Sequence, residues 1–264
     1  VKIVSWNVNS IRARRDRVIS WVEQHQPDVV LLQETKCDDP TFLGPEGLLD
    51  LSDHYEMAHY GRDHWNGVAV LSRVGLSDVQ KGFSGINRSP FDEARLISAS
   101  CQGLRLCSVY VPNGRSLDDP HYRFKLIWLE RLRSEVTLSD IQMVAGDFNV
   151  APADQDIYDP VRWRKRTHAS GPERDAIRAL LDLGLCDVTR SMRPEPGIFT
   201  WWSYRPGQFD QNRGLRIDLA LCQSSITSSV SDVWIDTKER AGARPSDHAP
   251  LVVELDWETA STAT

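Results

Sequence analysis

Residues Lys2–Glu34 read KIVSWNVNSIRARRDRVISWVEQHQPDVVLLQE, and their order of strand, helix and strand decides the fold class. Lys2 to Val8 is a short β-rich run. Ser10 then precedes Ile11–Gln26, where Ile11, Val18, Ile19 and Val22 form an apolar stripe, so a capped amphipathic helix is predicted. Pro27 ends it, because a proline cannot continue the hydrogen-bond ladder. Asp28-Val29-Val30-Leu31-Leu32-Gln33 is an unbroken apolar strand that delivers Glu34 at its C-terminal end. Strand, helix and strand in this order predict a parallel pair or a crossover within one sheet.

Outward from there, Tyr55–Tyr60, Gly67–Ser72 and Leu76–Gly82 alternate with turn residues and predict a meander. Ala94–Ser100 and Leu104–Val111 are strands joined by the turn Gln102-Gly103. Asp118-Asp119-Pro120 opens a helix to Val136, with Phe124, Ile127, Leu129 and Leu132 as its core face. Ile141–Ala145 is a strand, Gly171–Leu183 a helix, and Phe199–Ser203, Leu215–Leu221, Val230–Ile235 and Leu251–Leu255 are strands. Many short strands with helices at intervals predict two sheets packed face to face with helices outside. No linker-like composition interrupts them, so one domain is expected over residues 1–257, with the small polar residues 258–264 as a loose tail.

At 264 residues the chain is long enough for a full hydrophobic core. No apolar run approaches the ~20 residues of a membrane span, and the N-terminus lacks the layout of a secretory signal. Five scattered cysteines without a C-x-x-C pair argue against a disulfide framework or a zinc site. A soluble, cytoplasmic protein with reduced thiols is expected. The net charge of −6 argues against non-specific coating of nucleic acid, yet basic residues cluster locally. Arg12, Arg14, Arg15 and Arg17 form one group. Arg162, Arg164, Lys165 and Arg166 surround Trp163, and Arg205, Arg213 and Arg216 form a third. Each alone reads as a solvated face; together they raise the possibility of a nucleic-acid surface.

The chemistry-bearing residues sit where apolar strands end: Asn7, Asn9, Glu34, Tyr110, Asn113, Asp147, Asn149, Asp218, Asp247 and His248. Asp147 and Asn149, in Met143–Pro152, read alone as a turn that closes a buried strand. If the strand ends gather at one edge, however, they supply the carboxylates, amides, phenol and imidazole that phosphodiester hydrolysis needs. Glu34 is the candidate direct ligand for a hard, oxygen-liking cation, or else a partner for Lys36. Asn7 either completes the metal shell, holds Glu34 or satisfies backbone groups. Asp218, embedded in an apolar strand, needs a buried partner, and His248 is the candidate. Trp201, Trp202, Leu215 and Ile217 line an apolar recess or belong to the core.

Seven segments in order then resemble one family. They are Trp6-Asn7-Val8-Asn9 with Ile11-Arg12-Ala13, Leu32-Gln33-Glu34-Thr35-Lys36, Asn66-Gly67-Val68-Ala69, Tyr110-Val111-Pro112-Asn113-Gly114, Gly146-Asp147-Phe148-Asn149, Asn212-Arg213-Gly214-Leu215-Arg216-Ile217-Asp218 and Ser246-Asp247-His248-Ala249-Pro250. From Lys2 to about Leu255 the chain resembles the exonuclease III family of abasic-site endonucleases. The resemblance implies a four-layered α/β sandwich of two packed mixed β-sheets flanked by helices, DNase I-like. It also implies a magnesium-dependent DNA-repair enzyme, with manganese able to substitute, acting as a monomer on duplex DNA with abasic sites or blocked 3′ ends, in the cytoplasm and at the nucleoid. Cleavage 5′ to the abasic site would be accompanied by 3′–5′ exonuclease and 3′-phosphatase or 3′-phosphodiesterase activity.

On this resemblance Glu34, Asn7 and Asp247 match metal-site positions. Tyr110, Asn149 and His248 match groups that hold the scissile phosphate, Asp147 the residue that activates or aligns water, and Asp218 the partner of the imidazole. Asn113, Trp201, Leu215 and Ile217 match substrate positions, the last three an apolar pocket for a flipped-out sugar. Arg12, Arg164, Arg205 and Arg213 are the candidate DNA contacts. Two other readings stay open at this point: a phosphomonoesterase or lipid phosphodiesterase on the same scaffold, and a DNA-binding module without catalysis.

Overall fold

Strand β1 (Lys2–Asn7) pairs in parallel with β2 (Val29–Gln33), and helix α1 (Ile11–His25) crosses between them, as the opening stretch predicts. The computed structural model describes residues 1–85 and 91–257; the tail expected over 258–264 lies outside them. In β2, Val29 and Leu31 face one apolar cluster while Val30 and Leu32 face another beneath α1. Both faces of the strand are covered, which is why its sequence is a continuous apolar run rather than an alternation.

The other elements follow as α2 (Asp39–Phe42), β3 (Glu56–Tyr60), β4 (Val68–Ser72), β5 (Ser77–Lys81), β6 (Leu96–Cys101), β7 (Leu104–Tyr110), α3 (Pro120–Leu138) and β8 (Met143–Asp147). Then come α4 (Pro160–Trp163), α5 (Gly171–Leu181), β9 (Leu185–Asp187), α6 (Val188–Met192), β10 (Asp218–Gln223), α7 (Ser224–Thr227), β11 (Val230–Ile235) and β12 (Leu251–Leu255). They build two six-stranded mixed sheets, ordered β11-β12-β1-β2-β4-β3 and β5-β6-β7-β8-β10-β9. Ile3, Leu31 and Val70 of the first sheet meet Ile97, Leu106, Met143 and Ala220 of the second in a central core. On the outer faces α1 covers Val4, Trp6 and Leu32, while α3 and α5 cover Val109, Val144 and Leu219 through Trp128, Leu132, Ile177 and Leu180. Helix, sheet, sheet and helix make the four layers.

Several local expectations are corrected. The predicted meander is split: β3 pairs with β4, but β5 pairs with β6 in the other sheet. The sequence of β5, Ser-Asp-Val-Gln-Lys, is almost wholly exposed, so it suits only the outer edge it occupies. Phe199–Ser203 is not a strand; Trp201 makes single bridges to Leu215 and His248. Ser10 does not cap α1 with its side chain. Its φ is 88°, and the backbone N–H groups of Ser10 and Ile11 donate instead to the carbonyls of Glu34 and Thr35 at 2.7 and 2.9 Å. In α3 Ile127 is exposed and Trp128 takes its place in the core.

Arg216 is also corrected. It is fully buried, its Nε donating to Asp156 at 2.7 Å and its guanidinium pairing with Asp187 at 2.8 Å, so it presents nothing to DNA. Arg216→Met strips the pairing from two acids inside the protein. We expect about 3–5 kcal/mol of lost stability, read as a shifted urea midpoint at unchanged m-value.

Candidate active site

The site forms where the two sheets meet at one end. In the second sheet, register places Tyr110 beside Asp147 and Asp147 beside Asp218, so β7, β8 and β10 present three polar side chains in one row. The row is tight because Gly146 lets β8 approach β7; a Cβ there would lie 2.0 Å from the carbonyl oxygen of Val109. From the first sheet β1 contributes Asn7, and the chain leaving β2 contributes Glu34. Glu34 and Asn149 adopt left-handed backbone, φ 51° and 52°, a strained state for non-glycine residues that clusters at working sites. Asn149 therefore does not continue the strand beyond Asp147, as expected of a turn that closes it. The two meet through a turn in which the Asn149 N–H donates to Asp147 Oδ1 at 2.8 Å.

Asn7 is a bridge. Its Nδ2 donates to Glu34 Oε1 at 2.8 Å and to Asp147 Oδ2 at 2.9 Å, while its oxygen accepts from the backbone of Asn9 at 3.0 Å. Lys36 lies 2.8 Å from the second oxygen of Glu34, so the ion pair anticipated as the alternative role is formed as well. Glu34, Asp147 and His248 bring ligand atoms within 4.8 Å of one another. Burial, reinforced by Asp218 and Glu34, pushes the Asp147 carboxyl up to about 7 despite the opposing imidazole of His248. Two crowded carboxylates with hard oxygen donors fit a divalent cation of the magnesium type, which takes one or two carboxylates and keeps waters.

His248 donates from Nδ1 to Asp218 Oδ2 at 2.8 Å, and its Nε2 lies 3.7 Å from Asp147 Oδ2. Burial would lower its pKa, but the Asp218 and Asp147 carboxylates outweigh that and raise it to about 10. An imidazolium has no lone pair to offer a metal, so a cation at this cluster would meet the oxygen donors rather than His248. Burial, then Glu34, likewise hold the Tyr110 hydroxyl well above its usual range, so it remains a donor. Asn113 donates to Asn149 Oδ1 at 3.1 Å, and Asn149 Nδ2 donates to Asp147 Oδ2 at 3.2 Å, completing a chain of amides beside the acids. Asp247 stands outside the three-group cluster, its two oxygens accepting from Asn9 at 2.9 Å and Trp201 at 3.0 Å. A cation held at Glu34 would favour the ionised form of Asp147, within 4.8 Å, so its binding is linked to release of the proton that Asp147 carries below about pH 7. Mn2+ affinity, measured by calorimetry, is expected to fall as pH drops from 8 to 6, approaching tenfold per unit once below that value; a flat profile would argue against the assignment.

Leu215 and Ile217 are buried together with Ala151, Ile157 and Ala169, and Trp201 is half-buried over them, so the apolar recess exists as a packed floor with one aromatic wall. Trp163, grouped from sequence with a basic loop, forms a second wall edge-on to Trp201 at 6.4 Å between ring centroids. Trp202 belongs to the core, packed with Phe199 and Ala249. Arg164, Arg205 and Arg213 are exposed, Arg164 directly after Trp163, and Arg12 is exposed on α1 near Glu46. Arg14 and Arg17 are held by loop carbonyls instead. A cavity of about 450 Å³ beyond Tyr110, lined by Arg62, Trp65, Asn66, Arg95, Arg115 and His121, was missed; in sequence it is marked by Trp65, close to Arg62 and directly before Asn66. Also missed were Lys125, Thr167, His168 and Glu173 beneath the amides. Lys125 sits at core spacing with Leu129 and Leu132, and Ser170–Glu173 is a capping box, so both signals were present in the sequence.

The model of the endonuclease/exonuclease/phosphatase family matches residues 4–248, nearly the whole described chain. The chain belongs to this family. Within it, exodeoxyribonuclease III of Haemophilus influenzae is 32% identical over 97% of the chain and 100% of the relative, which places the protein in the exonuclease III group, as an exonuclease III-like nuclease. A solved structure of the 3′ phosphatase NExo from Neisseria, bound to a product DNA hairpin, is 37% identical with a TM-score of 0.91, covering 97% of this chain and 99% of that one. An AP endonuclease from Archaeoglobus fulgidus is 34% identical, also at 0.91, covering 97% and 100%. The DNase I-like sandwich expected for the exonuclease III family is therefore the fold found. No helix among the described residues is long and apolar enough to cross a membrane.

Proposed function

We propose that this exonuclease III-family nuclease hydrolyses the phosphodiester 5′ to an abasic site in duplex DNA, using Mg2+ or Mn2+, and also processes 3′ ends, with residues 1–257 working as one monomeric catalytic domain. The observation that carries the reading is the geometry at Asp147: buried, accepting from Asn7 and from the Asn149 backbone, and set between Glu34 and the His248 imidazolium. A carboxylate so placed can align an attacking water or take its proton. Glu34, with Asn7 holding it and Asp247 nearby, would hold the cation. Bound there, a hard divalent ion supplies positive charge opposite the phosphoryl oxygens. Asp147 aligns or deprotonates the attacking water. His248, Asn149 and Tyr110 donate to the phosphoryl oxygens as negative charge builds on them. Asp218 keeps the imidazole protonated and fixed in orientation. Asn113 steadies Asn149, and Trp201, Leu215 and Ile217 receive the sugar.

Arg164, Arg205 and Arg213, with Arg12 further off, would contact backbone phosphates. Their joint replacement by alanine should raise KM at low salt and reduce the slope of log affinity against log salt by about one per arginine. An unchanged slope would remove them from the DNA path.

A second reading, in which 3′-end processing dominates, is favoured by one observation: the 37% identical solved structures are a 3′ phosphatase and 3′–5′ exonuclease, slightly nearer than the AP endonuclease at 34%. Parallel assays on an abasic-site duplex and a 3′-phosphate duplex separate the two readings by the ratio of kcat/KM. Inorganic phosphate release from soluble monoesters without DNA cleavage would instead favour a phosphomonoesterase.

A further inference from the structure

Beneath the two amides of the site lies a buried charged cluster. Lys125 of α3 and Glu173 of α5 are both fully buried, with Lys125 Nζ donating to Glu173 Oε1 at 2.5 Å. The same ammonium donates to the carbonyl oxygen of Asn149 at 2.6 Å and to that of Asn113 at 3.3 Å. Thr167 lies 2.9 Å from the Asn113 carbonyl and 2.8 Å from Glu173 Oε1. His168 Nδ1 meets the Asn149 carbonyl at 2.5 Å. Facing a carbonyl, that nitrogen carries the proton, which leaves Nε2 as an acceptor 3.5 Å from the Asn113 amide. Burial, then Lys125, hold this imidazole neutral, down at about 3.

Such a pair is poor evidence of stability, since desolvating two charges offsets most of their attraction. Its placement has a better explanation. Only an ammonium offers three diverging donors from one atom, and here they reach a carboxylate and the carbonyls of two separate loops. Glu173 is held in turn by the Ser170 N–H and hydroxyl at 3.0 and 2.6 Å, so its position is set by the start of α5. Close approach is built into the backbone as well: a Cβ on Gly114, at φ 88°, would lie 2.7 Å from Thr167 Oγ1 and 3.2 Å from Lys125 Cδ.

We infer that Lys125, Glu173 and Thr167 are positioning residues, a clamp that grips the carbonyls of Asn113 and Asn149 and so fixes where their side-chain amides meet the substrate. The phosphate-facing role of those amides is the one proposed above. The clamp belongs to the second sheet and its helices, whereas Glu34 and Asn7 come from the first, so it acts on the amides and not on the cation.

Lys125→Met and Thr167→Val test this, assayed on abasic-site and 3′-phosphate duplexes beside Asn149→Ala, with 1H–15N spectra following the side-chain amides of Asn113 and Asn149. In Lys125→Met we expect kcat to fall about 10- to 100-fold, with KM and Mn2+ affinity within about threefold of wild type. Thr167→Val gives a smaller loss of the same kind. Adding Asn149→Ala to Lys125→Met costs little more, Lys125→Arg recovers part of the turnover, and the amide signals move in Lys125→Met and Thr167→Val. Full turnover with unmoved signals in folded Lys125→Met, or losses that add to those of Asn149→Ala, overturns the clamp. If Lys125→Met does not fold, Thr167→Val decides, because it leaves the ion pair in place: unchanged kcat with unmoved Asn113 signals overturns the inference. Wild-type protein inactive on both duplexes would refute the proposed function instead, and the amide signals would still decide the clamp.

Discussion

Asp147→Asn lowers turnover on an abasic-site duplex by at least ~100-fold, the usual cost of a lost general base, while DNA affinity stays close to wild type. The expectation follows from the surroundings of the side chain. Asp147 is almost wholly buried, and its oxygens accept from Asn7, from the Asn149 backbone and from the Asn149 amide. An asparagine keeps the size but cannot take a proton from water, and its Nδ2 confronts groups that donate. The substitution also removes the carboxylate that faces His248. A kcat within a few-fold of wild type in a folded Asp147→Asn variant would exclude Asp147 from the reaction.

The second large effect concerns a pair. His248→Asn removes a buried donor held protonated by Asp218, and Asp218→Ala removes what holds it. Each single replacement is expected to cost much the same, of order 100-fold, and the double variant little beyond either. The sign of the pKa shift sets the pH behaviour. The imidazole is raised to about 10 in the folded protein, so its protonated form is complete at neutral pH and is lost only as pH climbs through that value. In Asp218→Ala the main raising influence is gone and burial lowers the imidazole pKa, so the alkaline limb of the kcat profile moves to lower pH. Losses that multiply in the double variant, or an alkaline limb that stays in place, would separate the two residues.

The framework of the fold was legible from strands covered on both faces, such as Val29–Gln33, and from the stripe of α1, because burial imposes those patterns directly. Pairing was less so. Nothing in Ser77–Lys81 says which sheet receives it, since an exposed edge strand carries little apolar code. Most residues of the candidate site were legible because a polar side chain at the end of an apolar strand, as at Glu34, Asp147 and Asp218, contradicts its surroundings. Arg216 misled for the complementary reason: arginines look alike in sequence whether solvated or paired with buried acids, and Asp156 and Asp187 lie 60 and 29 residues away. Lys125 was overlooked because a helix with a good apolar face reads as complete without its buried charges, Lys125 and Glu135. Asn7 shows a role that sequence left among three alternatives: it spans 140 residues to join Glu34 to Asp147.

The most direct measurement is incubation of the protein with an end-labelled duplex carrying one abasic site, with Mg2+ and with EDTA, followed by sizing of the products. The proposed function, with Glu34, Asp147 and His248 at its centre, predicts a cut 5′ to the abasic site in Mg2+, none in EDTA, and recovery when Mg2+ is restored in excess. Cutting that persists in EDTA, or an intact duplex with Mg2+ present, would contradict it.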